Sequence, residues 1–401
     1  MRPLKELISL GEARGIWEAA AKPLRRTETV STLQALHRIL AQPLEAQLDV
    51  PGFARSAMDG YALRSSDSLP AEKNRPLRLR CVERIYTGQV PQRPIRPGEC
   101  AEIATGAILP EGADAVIMVE QTEAEGDEVL IYQALVPRAN VIQRGADIAM
   151  GTVVLQEGAF INPSRLGVLC ALGVQQVTVY DRPRVAIIPT GGEVVRPGEE
   201  LQRGQVYDIN SYTLASIVLE AGGEPFIHPI VEDHQEKIIA AMESCQETDL
   251  FVFSGGSSVG TRDLILDICT RLGEVLFPGI AVKPGKPTLL STWGEKLILG
   301  MPGNPTSCLS NAYMILMPVI RRLGRLPEVH RQVAHYPLSR RQPSTLGRHE
   351  FLTVRIANGE AMPVFKSSGD ITSMSLADGY IEIAANVDLI EKGERVAVTF
   401  L

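Results

Sequence analysis

The sequence predicts a multidomain α/β-plus-β protein. A central doubly wound α/β domain is flanked by an N-terminal helical segment carrying a β insertion and by a small, β-barrel-like C-terminal domain. Three observations predict it. The chain has 401 residues, more than one ordinary core organises, so two to four domains are expected. Strand-like and helix-like segments alternate with short connections through residues 181–328, the pattern of a mainly parallel sheet. Short β-like pieces punctuated by Pro and Gly fill the stretches before and after it. The expected boundaries are 1–50 with 140–180 for a linker domain, 51–139 for the β insertion, 181–328 for the α/β domain and 329–401 for the last.

Taken in order, residues 1–47 read as helical. "TVSTLQALHRIL" puts Val30, Leu33, Leu36, His37 and Leu40 on one face, which makes His37 a partly buried core histidine. Pro51 and Gly52 break the helix in "DVPGFARSAMDGYAL". "LRLRCVERI", "AEIATG", "DAVIMVEQT" and "EVLIYQALV" read as strands. "AFINPSRLGVLCALGV" returns to helix and is expected to pack with the first segment. Then "RVAIIPTGG", "PFIHPIVED", "DLFVFSGG" and "EKLILGMPGNP" are strands, alternating with the helices "NSYTLASIVLEAGGE", "HQEKIIAAMESCQE" and "DLILDICTRLG". Short strands follow Pro327 down to "ERVAVTF".

Composition excludes several classes. Hydrophobic residues at 45% and charged residues at 22% are those of a soluble globular protein. A net charge of -7 argues against nucleic acid as a partner. Cys81, Cys100, Cys170, Cys245, Cys269 and Cys308 form no C-x-x-C and read as buried thiols in a reducing compartment. The six histidines make no zinc motif. "MRPLKELISLGEARG" lacks the apolar core of a signal peptide, and no apolar run reaches the about 18 residues of a membrane span. Cytoplasm is the expectation.

In an open α/β sheet, ligands bind beyond the carboxyl ends of the strands. "DLFVFSGGSSVGTRDL" sets its small residues there: Gly255, Gly256 and Gly260 permit close backbone approach, and Ser254, Ser257 and Ser258 add hydroxyls. The following helix start adds N–H donors, so the stretch reads as a phosphate cradle or as a plain strand–helix turn. Asp263 then reads as a helix-start acid or as a magnesium ligand bridging to phosphate. Other strand ends bring Thr190 and Glu193 in "PTGGE", Asp208 and Asn210 in "VYDIN", and Asp233 in "VED". Four acids around a glycine cradle favour a phosphate and Mg2+ pocket. In "AVKPGKP" a Pro–Gly turn lets Lys283 and Lys286 converge on one anion, unless both are simply solvated. In "MPGNPTS", Pro302 and Pro305 stiffen a loop whose N–H groups and Asn304 suit a ligand, or only a rigid turn before a helix.

These stretches carry a resemblance. "DVPGFARSAMDGYAL", "ATGAILPEGADAVIMVEQ", "RGADIAMG", "PTGGE", "VYDIN", "SGGSSVGTRD", "AVKPGKP" and "MPGNPTS" resemble, in this order, the motifs of the molybdopterin molybdenumtransferase family, which includes bacterial MoeA and the E domain of gephyrin. The resemblance runs from about residue 5 to the end. It implies a central domain of the molybdopterin-binding fold and a linker domain that serves dimerisation. The implied reaction takes adenylylated molybdopterin and molybdate, inserts molybdenum at the dithiolene, and releases AMP with Mg2+. It further implies a homodimer with the cleft near its interface, and transient contact with the adenylyltransferase of the preceding step.

Carried over by position, the resemblance makes Asp59 of "SAMDG", Thr105 of "ATGA" and Asp147 of "RGAD" cleft residues of the N-terminal half. Glu193, Asp233 and Asp263 match the catalytic and metal-binding acids. Thr190, Asp208, Asn210, Ser254, Gly255, Gly256, Ser258 and Gly260 fall on the substrate pocket, as do Lys283, Lys286, Pro302, Gly303, Asn304, Pro305 and Ser307. Molybdate is expected at Lys283, Lys286, Arg348 of "GRHEF" and Ser368 of "SSGDITSM". One departure stands out: Gly192 occupies a position where the family commonly has Asp, which predicts weakened or rearranged Mg2+ coordination. The alternatives are a non-catalytic scaffold or pterin-binding paralogue of the same fold, and the neighbouring molybdopterin adenylyltransferase.

Overall fold

The computed structural model describes residues 7–255 and 264–401. The chain forms two compact units, one of residues 1–28, 37–39 and 179–401, the other of residues 29–36 and 40–178.

The second unit is built on a six-stranded sheet. Its strands lie in the order Ala115–Met118, Gly60–Leu63, Glu99–Ile103, Leu77–Ile85, Glu128–Ile131 and Thr122–Glu125. All neighbours are antiparallel except Leu77–Ile85 with Glu99–Ile103, which run parallel. The alternation that marked these strands in the sequence sorts their side chains. Tyr61, Leu63, Leu79, Cys100, Ile117 and Val129 share one buried cluster, and Ala62, Ile85, Ala101, Ile103 and Val116 share another. At Gly60 a Cβ would meet the Ile117 carbonyl oxygen at 1.8 Å, so only glycine lets that strand start where it does. The helix Pro163–Ala171 begins as its sequence dictates: the Asn162 side chain accepts the Arg165 N–H, and Pro163 sits where no donor is needed.

The N-terminal stretch departs from the helical reading. Thr27–Ser31 is a strand, and only Leu33–Ala35 make a helical turn. Thr27, Thr29, Val30 and Thr32 favour extended backbone, and that preference overrides the apolar spacing. Thr32 donates through both N–H and hydroxyl to the Gln175 and Val174 carbonyls. Leu33 is 75% exposed, and His37 is exposed with φ 62, so neither belongs to a buried helical face. The true N-terminal helix is Leu10–Ala20. A capping box starts it: Ser9 Oγ accepts the Glu12 N–H, and Glu12 accepts the Ser9 N–H. Whereas Pro163–Ala171 belongs to the second unit, this helix belongs to the unit of residues 1–28, 37–39 and 179–401 and buries Ala13 and Trp17 in that unit's α/β core.

That unit holds the doubly wound domain. Its sheet runs Glu224–Ile227, Arg184–Pro189, Leu250–Ser254, Lys296–Met301, Leu289–Trp293, Glu274–Phe277. The first four are parallel, Leu289–Trp293 runs against them, and Glu274–Phe277 pairs antiparallel with Leu289–Trp293. Both faces are covered, which is why "VAII" and "LFVF" are continuous apolar runs. Leu214, Ile217, Ile315 and Val319 come from helices on one face, and Ile238, Met242, Ile265 and Ile268 from helices on the other. The C-terminal β domain has the order Val282–Lys283, His349–Ala357, Gly379–Ile383, Arg395–Phe400, Val333–Pro337, around Leu352, Val354, Ile381 and Val398. Its first strand is the "VKPGKP" stretch of the α/β segment.

The thiols also differ from expectation. Only Cys100, Cys269 and Cys308 are buried; Cys81 and Cys245 are half-buried and Cys170 is exposed. Among the described residues no helix is long and apolar enough to cross a membrane.

Phe251 is fully buried in the middle of the parallel sheet. Phe251→Ala is expected to lose about 3–5 kcal/mol, read as a lowered urea midpoint of the transition that exposes Trp293, which packs on that ring.

Candidate functional site

The sheet reverses its winding at one point. In chain order the parallel strands are first, second, third and fourth, but in space the second, Glu224–Ile227, lies outside the first, Arg184–Pro189, and the third, Leu250–Ser254, on its other side. The crevice beyond the carboxyl ends of the first and third strands is the ligand position of such sheets.

The strand exits there meet backbone to backbone. The Thr190 N–H donates to the Ser254 carbonyl at 3.3 Å. Gly255 has φ +101, and a Cβ on it would lie 2.7 Å from the Thr190 carbonyl oxygen. A Cβ on Gly303 would lie 3.7 Å from Gly255 Cα, so the "PGNP" loop closes on the same spot. Asn210 Nδ2 donates to the Gly303 carbonyl at 2.8 Å. Of the six buried side-chain polar atoms without a hydrogen-bond partner among the described residues, Thr190 Oγ1 and Asn210 Oδ1 belong to these exits; Ser211 Oγ is next to Asn210 in the chain, and the others are on Arg55, Asn311 and Thr353. Such orphans are costly, which makes them the natural contacts for a polar ligand. Asp208 and Ser254 are buried, and Asp208 accepts the Ser211 N–H at 2.9 Å, so its carboxylate serves the helix start.

The carboxylates are arranged differently. Gly191, φ +129, lies under the Glu193 side chain, whose Oε2 would be 2.8 Å from a Cβ there. At Gly192 a Cβ would meet nothing within 4 Å, and its φ lies outside the left-handed region. Asp233 follows Val231, which bridges Thr190. Glu193 and Asp233 are exposed. Neither forms an ion pair among the described residues, whereas the neighbouring Glu232 binds Lys237 at 2.5 Å. The described residues contain no cluster of three acids, histidines or thiols close enough for a metal. Gly256, Ser258, Gly260 and Asp263 lie outside the described residues.

Of the two lysines, Lys283 is already paired. Lys283 Nζ lies 3.2 Å from Glu350 Oε2 and 3.2 Å from Thr345 Oγ1. Glu350 is 3% exposed and also accepts from Ser344 Oγ at 3.0 Å. The pairing follows from strand register, because Val282 and Lys283 run parallel beside His349 and Glu350. Lys286 is half-buried across the turn and has no ion pair among the described residues. Gly285 is held by Asn311, whose Nδ2 donates to its carbonyl at 2.8 Å. Arg348 is half-buried, one residue before the His349 N–H that donates to Ala281 O. Pro302 and Ser307 are buried, and Pro305 opens the helix that Asn304 precedes. Ser368 is brought to this loop directly: Asn304 Nδ2 donates to Ser368 Oγ at 2.8 Å, and the Thr306 N–H to the Ser368 carbonyl. Sequence reasoning missed Glu350, Thr345 and Asn311. The signal for Glu350 was present as the acid of "GRHEF".

In the other unit, Asp59 and Thr105 meet. The Thr105 N–H donates to Asp59 Oδ1 at 2.7 Å. That bond, with a second from the Thr105 hydroxyl, holds the Asp59 carboxyl below its ordinary range. The sign is that of a depressed acid: the contact is complete at neutral pH and is lost as pH falls through the lowered value. Asp147 is exposed, with its N–H on the Val50 carbonyl. The backbones of "ARSAM", "ATGAI" and "NVIQRGAD" are laced by Ser56 N–H to Ala107 O, Gly106 N–H to Ser56 O, and Ala57 N–H to Asn140 O. One weave therefore carries the segments of Asp59, Thr105 and Asp147. A separate cavity of about 700 Å³, lined by Trp17, Tyr313, Met317, Arg321 and Arg322, contains none of these residues.

The comparisons first define the class. The MoeA N-terminal region (domain I and II) matches residues 8–173, a probable molybdopterin binding domain matches 186–322, and the MoeA C-terminal region (domain IV) matches 336–401. Two molybdopterin biosynthesis proteins from Pyrococcus horikoshii have the same fold. One has a TM-score of 0.85 at 36% identity, covering 98% of this chain and 99% of that one. The other scores 0.84 at 28%, covering 99% and 100%. The molybdopterin molybdenumtransferase of Bacillus subtilis is 30% identical over 386 residues, covering 94% of this chain and 90% of that protein. That of Nostoc is 37% identical over 305 residues, covering 75% and 70%. The chain belongs to the molybdopterin molybdenumtransferase family, enzymes of molybdenum cofactor biosynthesis.

Two consequences can be measured by thermal unfolding. Gly192→Asp should leave the midpoint unchanged, because open space surrounds that Cβ, whereas Gly255→Ala should lower it clearly. Lys283→Ala should lower the midpoint by leaving Glu350 buried without a cation, and Glu350→Gln in the same chain should restore part of the loss.

Proposed function

We propose that this protein inserts molybdenum from molybdate into adenylylated molybdopterin and releases AMP and the molybdenum cofactor. The reading is carried by the two orphaned polar atoms, Thr190 Oγ1 and Asn210 Oδ1, in the switch-point crevice of the segment that matches a molybdopterin binding domain. The phosphate of the substrate docks against the exits at Thr190, Gly255 and Gly303, where glycines let backbone N–H groups approach it. Ser254, Asp208 and Ser307 support these exits from within the sheet and helix starts.

Magnesium suits the donor chemistry: Glu193 and Asp233 are exposed hard-oxygen carboxylates on adjacent strand exits, unengaged among the described residues, and Asp263 is the proposed third. When bound, the ion neutralises the phosphoanhydride and polarises its phosphorus. Glu193 and Asp233 would hold it; Thr190 and Asn210 orient the phosphate. The bond between phosphorus and the bridging oxygen breaks as water or a molybdate oxygen attacks, and AMP leaves. Lys286, Arg348 and Ser368 are the proposed molybdate contacts, with Lys283 held at one angle by Glu350 and Thr345. The pairing leaves Lys283 fewer donors for an anion than Lys286 keeps.

We further infer a homodimer in the cytoplasm, transient contact with the adenylyltransferase of the preceding step, and a cleft completed by Asp59, Thr105 and Asp147 of the other subunit. Exposed Phe53 and Met58 flanking Asp59 support a contact surface there.

The experiment is to incubate purified protein with adenylylated molybdopterin, Mg2+ and molybdate, then assay AMP and active cofactor. Pterin binding without AMP release would overturn catalysis in favour of a scaffold. Lys286→Ala should raise the molybdate concentration for half-maximal insertion more than Lys283→Ala does. Asp59→Ala and Asp263→Ala proteins should each be inactive and should regain activity when their subunits exchange. No recovery despite proven exchange would refute the shared cleft.

A further inference from the structure

Two thiols outside the proposed reaction face each other. Cys81 and Cys100 are partners in register on the parallel strands Leu77–Ile85 and Glu99–Ile103. Adjacent strands hold such Cα atoms about 4.7–4.9 Å apart, inside the about 4.4–6.8 Å that a disulfide spans. Both side chains lie on the same sheet face, in the cluster with Tyr61, Leu63 and Leu79. Cys100 is wholly buried, but Cys81 is half-buried and thus reachable from solvent. The register shifts between Cys81 and Glu83, so the strand bulges directly after Cys81.

We propose that Cys81 and Cys100 are a redox modification site, a dithiol that hydrogen peroxide closes to a cross-strand disulfide. The Cys81 thiolate attacks the peroxide oxygen, breaking the O–O bond and giving a sulfenic acid and water. The Cys100 sulfur then attacks the Cys81 sulfur, and its proton leaves with the hydroxyl as a second water. Two thiols lose two electrons to one peroxide, and a small dithiol reverses the step. The two positions divide the work. The neighbouring Cys100 thiol, with the Glu102 and Glu83 backbones adding to its effect, brings the Cys81 thiol down to about 6 against burial and the Glu102 charge, while Cys81 Sγ lies 3.5 Å from the Glu83 carbonyl oxygen. Cys100, beside Cys81 and buried, is pushed up and stays protonated until the second step. Tyr61, the phenol on the neighbouring strand, is pushed up by burial and does not compete for the peroxide.

The disulfide would be local in reach but well placed. The strand that carries Cys100 continues into Thr105, whose N–H binds Asp59. Tying it to Leu77–Ile85 stiffens the frame of that turn.

The test treats the reduced full-length protein with stoichiometric hydrogen peroxide, blocks free thiols, and maps peptides without reduction. The expected result is one Cys81–Cys100 linked peptide, loss of two titratable thiols and full recovery with dithiothreitol. In Cys100→Ser the reaction should stop at a dimedone-trappable sulfenic acid on Cys81. Iodoacetamide reactivity of Cys81 should rise with a midpoint near pH 6 in the native protein and move towards about 8.5 in Cys100→Ser. Oxidation confined to exposed Cys170, or Cys81 passing to sulfinic acid in the native protein without a linked peptide, would overturn the proposal. Because the linked peptide is read on the native chain, an unfolded variant does not blunt the test.

Discussion

The close approach of the Thr190 carbonyl and Gly255 is the contact on which the α/β half of the molecule depends. Two parallel strands leave the sheet side by side where its winding reverses, and the helices that follow them pack on opposite faces. A side chain at 255 would stand 2.7 Å from a backbone oxygen, so the crossing needs glycine. The same contact buries the Thr190 hydroxyl without a partner and gives the "PGNP" loop a flat surface to close on. Sheet topology, loop sequence and an unsatisfied polar atom are thus one feature seen at three levels, and a ligand that satisfies the hydroxyl removes its cost.

Legibility followed periodicity. The strands Arg184–Pro189, Leu250–Ser254 and Lys296–Met301 were readable because both faces are buried and the apolar runs are unbroken. The β insertion was readable because Pro and Gly turns punctuate it. Residues 29–40 misled, because five apolar or aromatic positions fell at helical spacing while the β-branched residues among them pulled the backbone straight. The long-range packing of Leu10–Ala20 was not readable at all: an amphipathic helix declares that it has a partner, not which one.

The lysines show the same limit at the level of a site. "KPGKP" displays two cations on a turn, and spacing alone suggests a shared anion. What the spacing does not contain is the strand pairing that sets Glu350 beside Lys283, across 67 residues of chain. A buried carboxylate with one ammonium neighbour keeps that ammonium in place, so the pair acts as a fixed post and leaves Lys286 as the freer charge. Asn304 and Ser368 are the converse case. Two motifs that the sequence could only set side by side by resemblance are joined by a direct 2.8 Å bond.

The two units also handle charge in different ways. In the α/β unit, Glu193 and Asp233 stand exposed and without an ion pair among the described residues, on adjacent strand exits. Gly192 contributes no charge beside Glu193, and open space surrounds the position its Cβ would take. Fewer negative charges weaken attraction for a divalent ion but also ease the approach of a polyanionic substrate, since both effects scale with the same local field. In the other unit, Asp59 is compensated instead by two hydrogen bonds from Thr105, which fix its orientation without cancelling its charge. A carboxylate held in this way is oriented by neutral donors and remains an anion at neutral pH. Two donors from one residue set the angle of the carboxylate and, by the same bonds, make it a weaker base than a free one.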